Sequence, residues 1–392
     1  MNIAFDLVAI ERLDDGMYTS SLALLQGLQR VPADHRYLLL TGRPERYAAF
    51  AQDERFEVVH APIPILQRDA ILLEHQLLEP LALRRLRPHL LHAPGLASPL
   101  LWHGPVVLTL HDVAFLSVPD QMSRASLYYW RYVALPSARR ATRIVTVSHH
   151  ARQEIARELQ LPLERIETVY NSIGDQFKAD LSPESIERVR ARYHLGEQYI
   201  LFVSTLQARK NVSALIRAFE RLAPALPDVQ LVLAGGISAN SEAIVREAEQ
   251  SPFAARIRLT GRVDYEDLPS LYAGAQVFAL PSKQEGFGLT MIEAMACGTP
   301  VVANNASCLP EVAGDAALLV DADDAAAFAA ALRRALEDES LRQTLVARGF
   351  QRAAQFRPEI CARAMLEVYE QAASQGAKSA ERSAAHSARN SG

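Results

Sequence analysis

The chain has 392 residues, of which 49% are hydrophobic and 22% charged, with a formal net charge of −4. That is enough for two or three domains with sizeable cores; it excludes a mainly disordered chain and argues against a general nucleic-acid binder. No run of 18 apolar residues offers a spanning helix, and the first six residues carry no basic leader. Cys297, Cys308 and Cys361 have neither disulfide arithmetic nor metal-ligand spacing, so the reading is a cytoplasmic, reducing environment.

Short β-rich runs alternate with amphipathic helical patterns along the chain. Residues 2–8 are predicted as a strand and 17–30 as a helix. Further strands are expected at 37–41, 56–60, 106–110, 143–147 and 166–170, with helices at 121–135 and 150–159. Residues 171–180 are turn-rich. The alternation then restarts with strands at 199–204, 229–234, 257–259, 276–280 and 300–303. The end is helical, at 324–336, 339–355 and 358–373. Such alternation means βαβ units and mostly parallel sheets. The division expected is a Rossmann-like domain over 1–175, a linker over 176–196, a second α/β domain over 197–357 and a helix over 358–375. A Ser- and Ala-rich tail, 376–392, is expected to be disordered. Ligands of doubly wound sheets sit beyond the strands' carboxyl ends, so two such domains facing across a cleft would suit a two-substrate enzyme.

The strongest motif is Glu285-Gly286-Phe287-Gly288-Leu289-Thr290-Met291-Ile292-Glu293, which follows the 276–280 strand. A helix is expected to start near Gly288 and to stop at Gly298, with Pro300 beyond. The glycines let backbone N–H groups at Gly288, Leu289 and Thr290 approach a ligand, at the positive end of a helix dipole. That suits a diphosphate. Glu285 lies in the loop, and Glu293 lies about a turn inside, where it can accept hydroxyls of a ribose diol. Each glutamate alone reads equally as a surface charge; the pair, eight apart with this glycine pattern, does not.

The spacing of Glu285 and Glu293 resembles the E-x7-E motif of retaining, nucleotide-sugar-dependent glycosyltransferases of family 4. The resemblance covers about residues 1–370 and implies the GT-B fold, with an acceptor domain followed by a donor domain. It implies that Glu293 binds the nucleotide ribose and that Glu285 contacts the donor sugar at the reaction centre. Within the family the chain looks most like bacterial enzymes of O-antigen and exopolysaccharide assembly, including mannosyl- and rhamnosyltransferases. A GDP-mannose-type donor is favoured, UDP-sugars being the neighbouring choice.

Only four of the 41 basic residues are lysines: Lys178, Lys210, Lys283 and Lys378. Lys210 falls in Arg209-Lys210-Asn211, at a strand-to-helix turn where two cations suit a diphosphate. Asn211 is expected to cap the next helix. The triplet matches the family's Arg-Lys-Asn pattern, in which the basic pair binds donor phosphates. The family's further arginine, four to six residues earlier, is replaced here by Ser204-Thr205. Lys283 is read as a solvated loop residue.

His111, in His111-Asp112 after the 106–110 strand, resembles the family's His-Asp pair, whose histidine faces the donor sugar. His149 and His150 follow Ser148, an expected helix cap, and are read as structural. In the family the turn at Gly261-Arg262-Val263 flanks the nucleotide base, the backbone at Val263 meeting it. The family's glycine-rich loop after the first strand has only Gly16, in Asp14-Asp15-Gly16-Met17, as a counterpart. Asp321-Ala322-Asp323-Asp324 imitates a metal-binding Asp-x-Asp, but helix capping explains it better; no metal or other cofactor is expected.

A helix over 121–135 would place Arg124, Tyr128 and Arg131 on one face and Leu127, Trp130 and Ala134 on an inward one. Pro136 is expected to kink or end it, and Arg139, Arg140 and Arg143 follow. This 121–143 segment suits peripheral contact with the cytoplasmic face of an anionic inner membrane or with a lipid pyrophosphate acceptor, as well as a plain solvated helix. The partners implied are a nucleotide sugar and a glycan or lipid-linked acceptor, with no nucleic acid. A hydrolysing nucleotide-sugar epimerase and a non-catalytic nucleotide-sugar scaffold are the alternatives.

Overall fold

The computed structural model describes residues 1–8, 10, 16–61, 74–113, 124–237 and 241–390, without the side chains of 74, 124–126 and 377–390. Two compact units result. One comprises Met1–Ser172 with Pro358–Gly392, the other Ile173–Arg357.

The first unit is built on seven strands: β1 (Asn2–Asp6), β2 (Arg36–Thr41), β3 (Phe56–His60), β4 (Leu90–Ala93), β5 (Val106–Thr109), β6 (Arg143–Thr146) and β7 (Ile166–Thr168). They pair in parallel in the order β3-β2-β1-β4-β5-β6-β7. Alternate side chains go to opposite faces, so Ile3 and Phe5 of β1 join one buried cluster and Ala4 joins the other. A sheet covered on both faces needs continuous apolar runs, as Ile3–Phe5 of β1, Tyr37–Leu40 of β2 and Val106–Leu108 of β5 supply.

The second unit carries β8 (Gln198–Val203), β9 (Val229–Ala234), β10 (Ile257–Gly261), β11 (Val277–Leu280), β12 (Val301–Asn304) and β13 (Ala317–Val320). They are parallel too, in the order β10-β9-β8-β11-β12-β13. The order therefore reverses between β8 and β11, as it does between β1 and β4 in the first unit.

Several expectations are corrected. β4 and β13 had no counterpart in the sequence reading. β4 is only Leu-Leu-His-Ala, flanked by Pro88 and Pro94, too short to show a period, yet it sits beside β1 at the sheet centre. Within the 176–196 segment, the polar helix that Ser182-Pro183-Glu184 announces does form, at Pro183–Tyr193, capped by Ser182, and its Arg192 bonds Asp264 and Asp267 at 2.6 Å. The last helix is described from Pro358 to Asn390. That helix packs on Gly16–Arg30. A β-carbon at Gly27 would collide with the Pro358 carbonyl, so glycine permits the contact.

The 121–135 helix also differs. Residues 121–123 lie outside the described residues. From Arg124 the chain is α-helical, passes through a π-helical turn at Trp130–Ala134, and resumes as α-helix to Arg140. Pro136 does not end it, because the wider π turn accommodates the missing N–H. Leu127, expected to face inward, is exposed, as are Tyr128 and Tyr132, which stack at 5.6 Å. Trp130 packs against the core and Ala134 is buried, as expected. Arg140 donates to the Leu100 and Trp102 carbonyls and Arg143 to that of Glu164. Among the described residues, no helix is long and apolar enough to cross a membrane.

Candidate active site

β8 and β11 are neighbours where the second sheet's order reverses, and the 204–211 and 281–288 loops leave their carboxyl ends. That is the crevice where open α/β sheets bind ligands. Topology thus brings together two segments about 75 residues apart. Lys210 Nζ donates to Glu285 Oε1 at 2.6 Å, and both residues are buried. Arg209 lies 3.9 Å from Glu285 Oε2 and donates to the Gln284 carbonyl at 3.1 Å, while Lys283 N–H donates back to the Arg209 carbonyl. Burial alone would raise the Glu285 carboxyl; the Lys210 and Arg209 cations outweigh it and hold it below the ordinary value.

The Glu285 backbone is clamped as well. Its N–H donates to Ser307 Oγ at 3.2 Å, and its carbonyl accepts from Ser307 Oγ and Cys308 Sγ. Gly288 then takes a left-handed conformation (φ 87°), and the helix runs Leu289–Ala296, one residue later than expected. Gly298 (φ 80°) sits just past its end, the position expected for the stop. The first N–H groups of that helix, at Leu289 and Thr290, have no partners within it.

Glu293 is buried on this helix. Its Oε2 accepts from the Tyr272 phenol at 2.8 Å, and burial pushes its carboxyl up to about 7 despite that bond. Val263 is buried after β10, whose last residue, Gly261, is left-handed (φ 68°). A β-carbon at Gly235, after β9, would collide with the Ser204 carbonyl, so glycine lets these two loops close up.

Asn211 is not the expected cap. It is left-handed (φ 54°), makes no capping bond, and its amide donates to Asp323 at 3.2 Å. Asp323 also pairs with Lys283 at 2.8 Å, so that lysine, though half exposed, has a partner. Asp324 caps the helix Ala325–Glu337 through Ala326 and Ala327, as expected for the Asp-x-Asp imitation. Ser148 likewise caps His149–Leu159.

Residues 15–177 match the family model described as Glycosyltransferase Family 4, and residues 185–352 that of Glycosyl transferases group 1. O-antigen chain mannosyltransferase B of Escherichia coli is 34% identical over 315 residues, which are 78% of this chain and 82% of that protein. The chain belongs to the group 1 glycosyltransferases. The serotype-specific mannosyltransferase WbdA of Escherichia coli is 31% identical over 221 residues, 55% of this chain but only 27% of WbdA. Anabaena HepE, solved with UDP and glucose, superposes with a TM-score of 0.70 at 21% identity, over 94% of this chain and 99% of that one. The transferase has the GT-B fold, two parallel-sheet units with flanking helices.

The remaining expected residues of the transferase lie in its first unit. Gly16 is the exposed first residue of the helix Gly16–Arg30; Asp14 and Asp15 fall outside the described residues. His111 follows β5 and lines a small pocket with Ser20, Ser21, His92, Thr109 and Asn171. Burial pushes its imidazole down to about 4, so it is neutral near pH 7. His92 next to it bonds Thr109 and the Tyr369 phenol, each at 2.8 Å, and burial and His111 push it down to about 3.

Sequence reasoning missed Tyr272, the Ser307 clamp and a buried cluster at the end of β1. There His75 Nε2 lies 2.7 Å from Asp6 and 3.7 Å from Glu79. The i,i+4 spacing of His75 and Glu79 was the available signal; Tyr272 had none. The Gln76 amide sets the imidazole tautomer. Its Oε1 accepts from Leu100 N–H, so its Nε2 must donate to His75 Nδ1, and the ring proton sits on Nε2, donating to Asp6. A cation would need that Nε2 lone pair, so the three ligand atoms, though within 4.8 Å of one another, do not suit a metal. Neither Glu79 oxygen has a hydrogen-bond partner among the described residues; burial and the nearby Asp6 hold its carboxyl well above the ordinary value.

A carboxyl raised in the native state supports the fold while protonated and loses that contribution as pH rises through its native value. Glu79→Gln, an isostere of the neutral acid, is therefore expected to unfold less readily than the wild type at alkaline pH. The gap should grow by up to about 1.4 kcal/mol per pH unit between the ordinary carboxyl value and the raised native one, and level off above it. Thermal melts from pH 5 to pH 9 check this, and parallel curves for the two proteins would refute it.

Proposed function

We propose that the chain is a retaining mannosyltransferase that moves a hexose from a GDP-mannose-type donor to a glycan or lipid-linked acceptor in cell-surface polysaccharide synthesis. The observation that carries the reading is the buried Lys210–Glu285 pair, with Arg209, at the switch point beside the Leu289 helix end. A diphosphate leaving group gains negative charge as its bond to the sugar carbon breaks. Two cations and oriented N–H groups meet that charge without having to reorganise. The sugar carbon becomes oxocarbenium-like and takes the acceptor hydroxyl oxygen on the face the diphosphate left, the hydroxyl proton passing to the departing diphosphate oxygen. Glu285 would lie against the donor sugar, Glu293 would accept ribose hydroxyls, and Val263 backbone would meet the base. His111, neutral, would face the donor sugar, and Gly16 would lie near sugar and acceptor. The mannosyl preference rests on the 34% identical mannosyltransferase.

Lys210→Ala is expected to weaken donor binding and slow transfer by roughly 2–4 kcal/mol in total. Glu293→Ala should mainly raise the donor KM, and Glu285→Ala should mainly lower kcat. Steady-state kinetics with GDP-mannose and a mannan-type acceptor read all three; equal, small effects would remove the site assignment. Consumption of the nucleotide sugar without acceptor would favour the epimerase, and binding without turnover the scaffold.

With phosphate charge met by side chains and a helix end, transfer should need no metal. Assays with and without a chelator test this, and complete loss restored only by a divalent cation would contradict it.

Peripheral contact of the cytoplasmic protein with an anionic inner membrane is part of the same reading. Its support is the exposed Tyr128–Tyr132 stack with the Arg131 guanidinium 5.8 Å from the Tyr132 ring. The protein should pellet with anionic vesicles at low salt and be released at high salt. Replacing Arg131 and Arg139 with Gln should weaken that while leaving donor binding intact. A wild type that stays in the supernatant at every salt concentration would end the membrane reading.

A further inference from the structure

Glu293 has a demanding position for a group that must accept hydroxyls. It is buried on the helix Leu289–Ala296, and among the described residues the Tyr272 phenol is the one hydrogen-bond partner of its side chain. That bond reaches Oε2 alone, at 2.8 Å, which leaves Oε1 unengaged. Tyr272 is itself immobilised. It is fully buried on the helix Leu268–Ala273, with its ring edge-on to Phe278 at 5.6 Å and to Phe177 at 6.0 Å. Its carbonyl accepts from Thr299 Oγ1 at 2.7 Å, just past the end of the Glu293 helix.

We propose that Tyr272 is a positioning residue for donor binding: its phenol holds one oxygen of the Glu293 carboxylate and so presents the other to a hydroxyl of the donor's nucleoside. The inference rests on the reading of Glu293 given under Proposed function. A phenol O–H can only donate to a carboxylate, so the bond favours the ionised, accepting form of Glu293 over the acid. Burial pulls the other way. Two other titratable groups face this pair among the described residues. The Cys297 thiol, one turn on, is held well up by burial and by Glu293, and the Tyr265 phenol faces Tyr272. The helix Glu339–Ala353 packs on the same helix with Gly349 against Met295, and β11 and β12 present apolar side chains. The phenol is therefore the interaction that keeps the carboxylate available near neutral pH.

The test is GDP binding by calorimetry from pH 5.5 to pH 8.5 for the wild type, Tyr272→Phe and Glu293→Gln. Wild-type affinity should fall as pH drops through about 7, as Glu293 takes up a proton. In Tyr272→Phe the midpoint should move upward, weakening GDP about three- to tenfold at pH 7 and converging on the wild type at pH 8.5. In turnover the change should fall on the donor KM rather than on kcat. Phe keeps the ring packing; should that variant not fold, Thr299→Val, which frees the Tyr272 carbonyl, should move the midpoint in the same direction by less. An unchanged midpoint in the folded variant, alongside weakened binding by Glu293→Gln, would overturn this proposal alone. Wild-type binding by Glu293→Gln at every pH would overturn it together with the assignment of Glu293 to the ribose.

Discussion

The second unit is organised around one electrostatic constraint: a lysine and a glutamate, each buried, 2.6 Å apart at the carboxyl edge of a parallel sheet. Either charge alone in that place would cost several kcal/mol in lost hydration, and removing one partner of such a pair typically destabilises by about 3–5 kcal/mol. The two loops therefore have to close on each other. They do so through the Lys283 N–H bond to the Arg209 carbonyl and the Arg209 guanidinium bond to the Gln284 carbonyl, and Ser307 fixes Glu285 as well. Gly288 makes the sharp exit into the helix that carries Glu293.

The first unit is held differently. Its central histidine, His92, is neutral and fully partnered: Thr109 lies on one side, and Tyr369 on the other. Tyr369 comes from the far end of the chain. That bond and the apolar packing of Ala362, Met365 and Val368 against Leu24, Leu25 and Leu28 secure the C-terminal helix to the N-terminal sheet. The nearby Asp6–His75–Glu79 cluster stores its acidity rather than exposing it. A tautomer set by Gln76 satisfies Asp6, while burial and the Asp6 charge hold the Glu79 carboxyl well above its ordinary value.

Much of this was legible in the sequence for local reasons. Short, continuous apolar runs alternating with amphipathic helices mark parallel sheets because covered strands must be apolar on both faces. The span from Glu285 to Gly298 reads as loop, helix and stop because glycine and proline restrict the backbone within a few residues. Ser148 and Asp324 cap the helices they precede for the same reason. What remained hidden was short or non-local. β4 has four residues, too few for any period, although it completes the centre of its sheet. Asn211 follows the rule for a cap but spends its amide on Asp323, 112 residues away. Pro136 would break an α-helix, but a π turn absorbs it.

The sequence by itself determined the α/β class, the two halves, and which loops hold carboxylates and cations. Those follow from interactions among near neighbours along the chain. Only the tertiary structure decided that Lys210 neutralises Glu285, that Tyr272 holds Glu293, and that the last helix belongs with the first sheet. Each of these joins residues 21 to 277 positions apart, and Arg30 meets Glu359 across 329. Strand order and burial, which no local pattern encodes, set those distances and the protonation states that go with them.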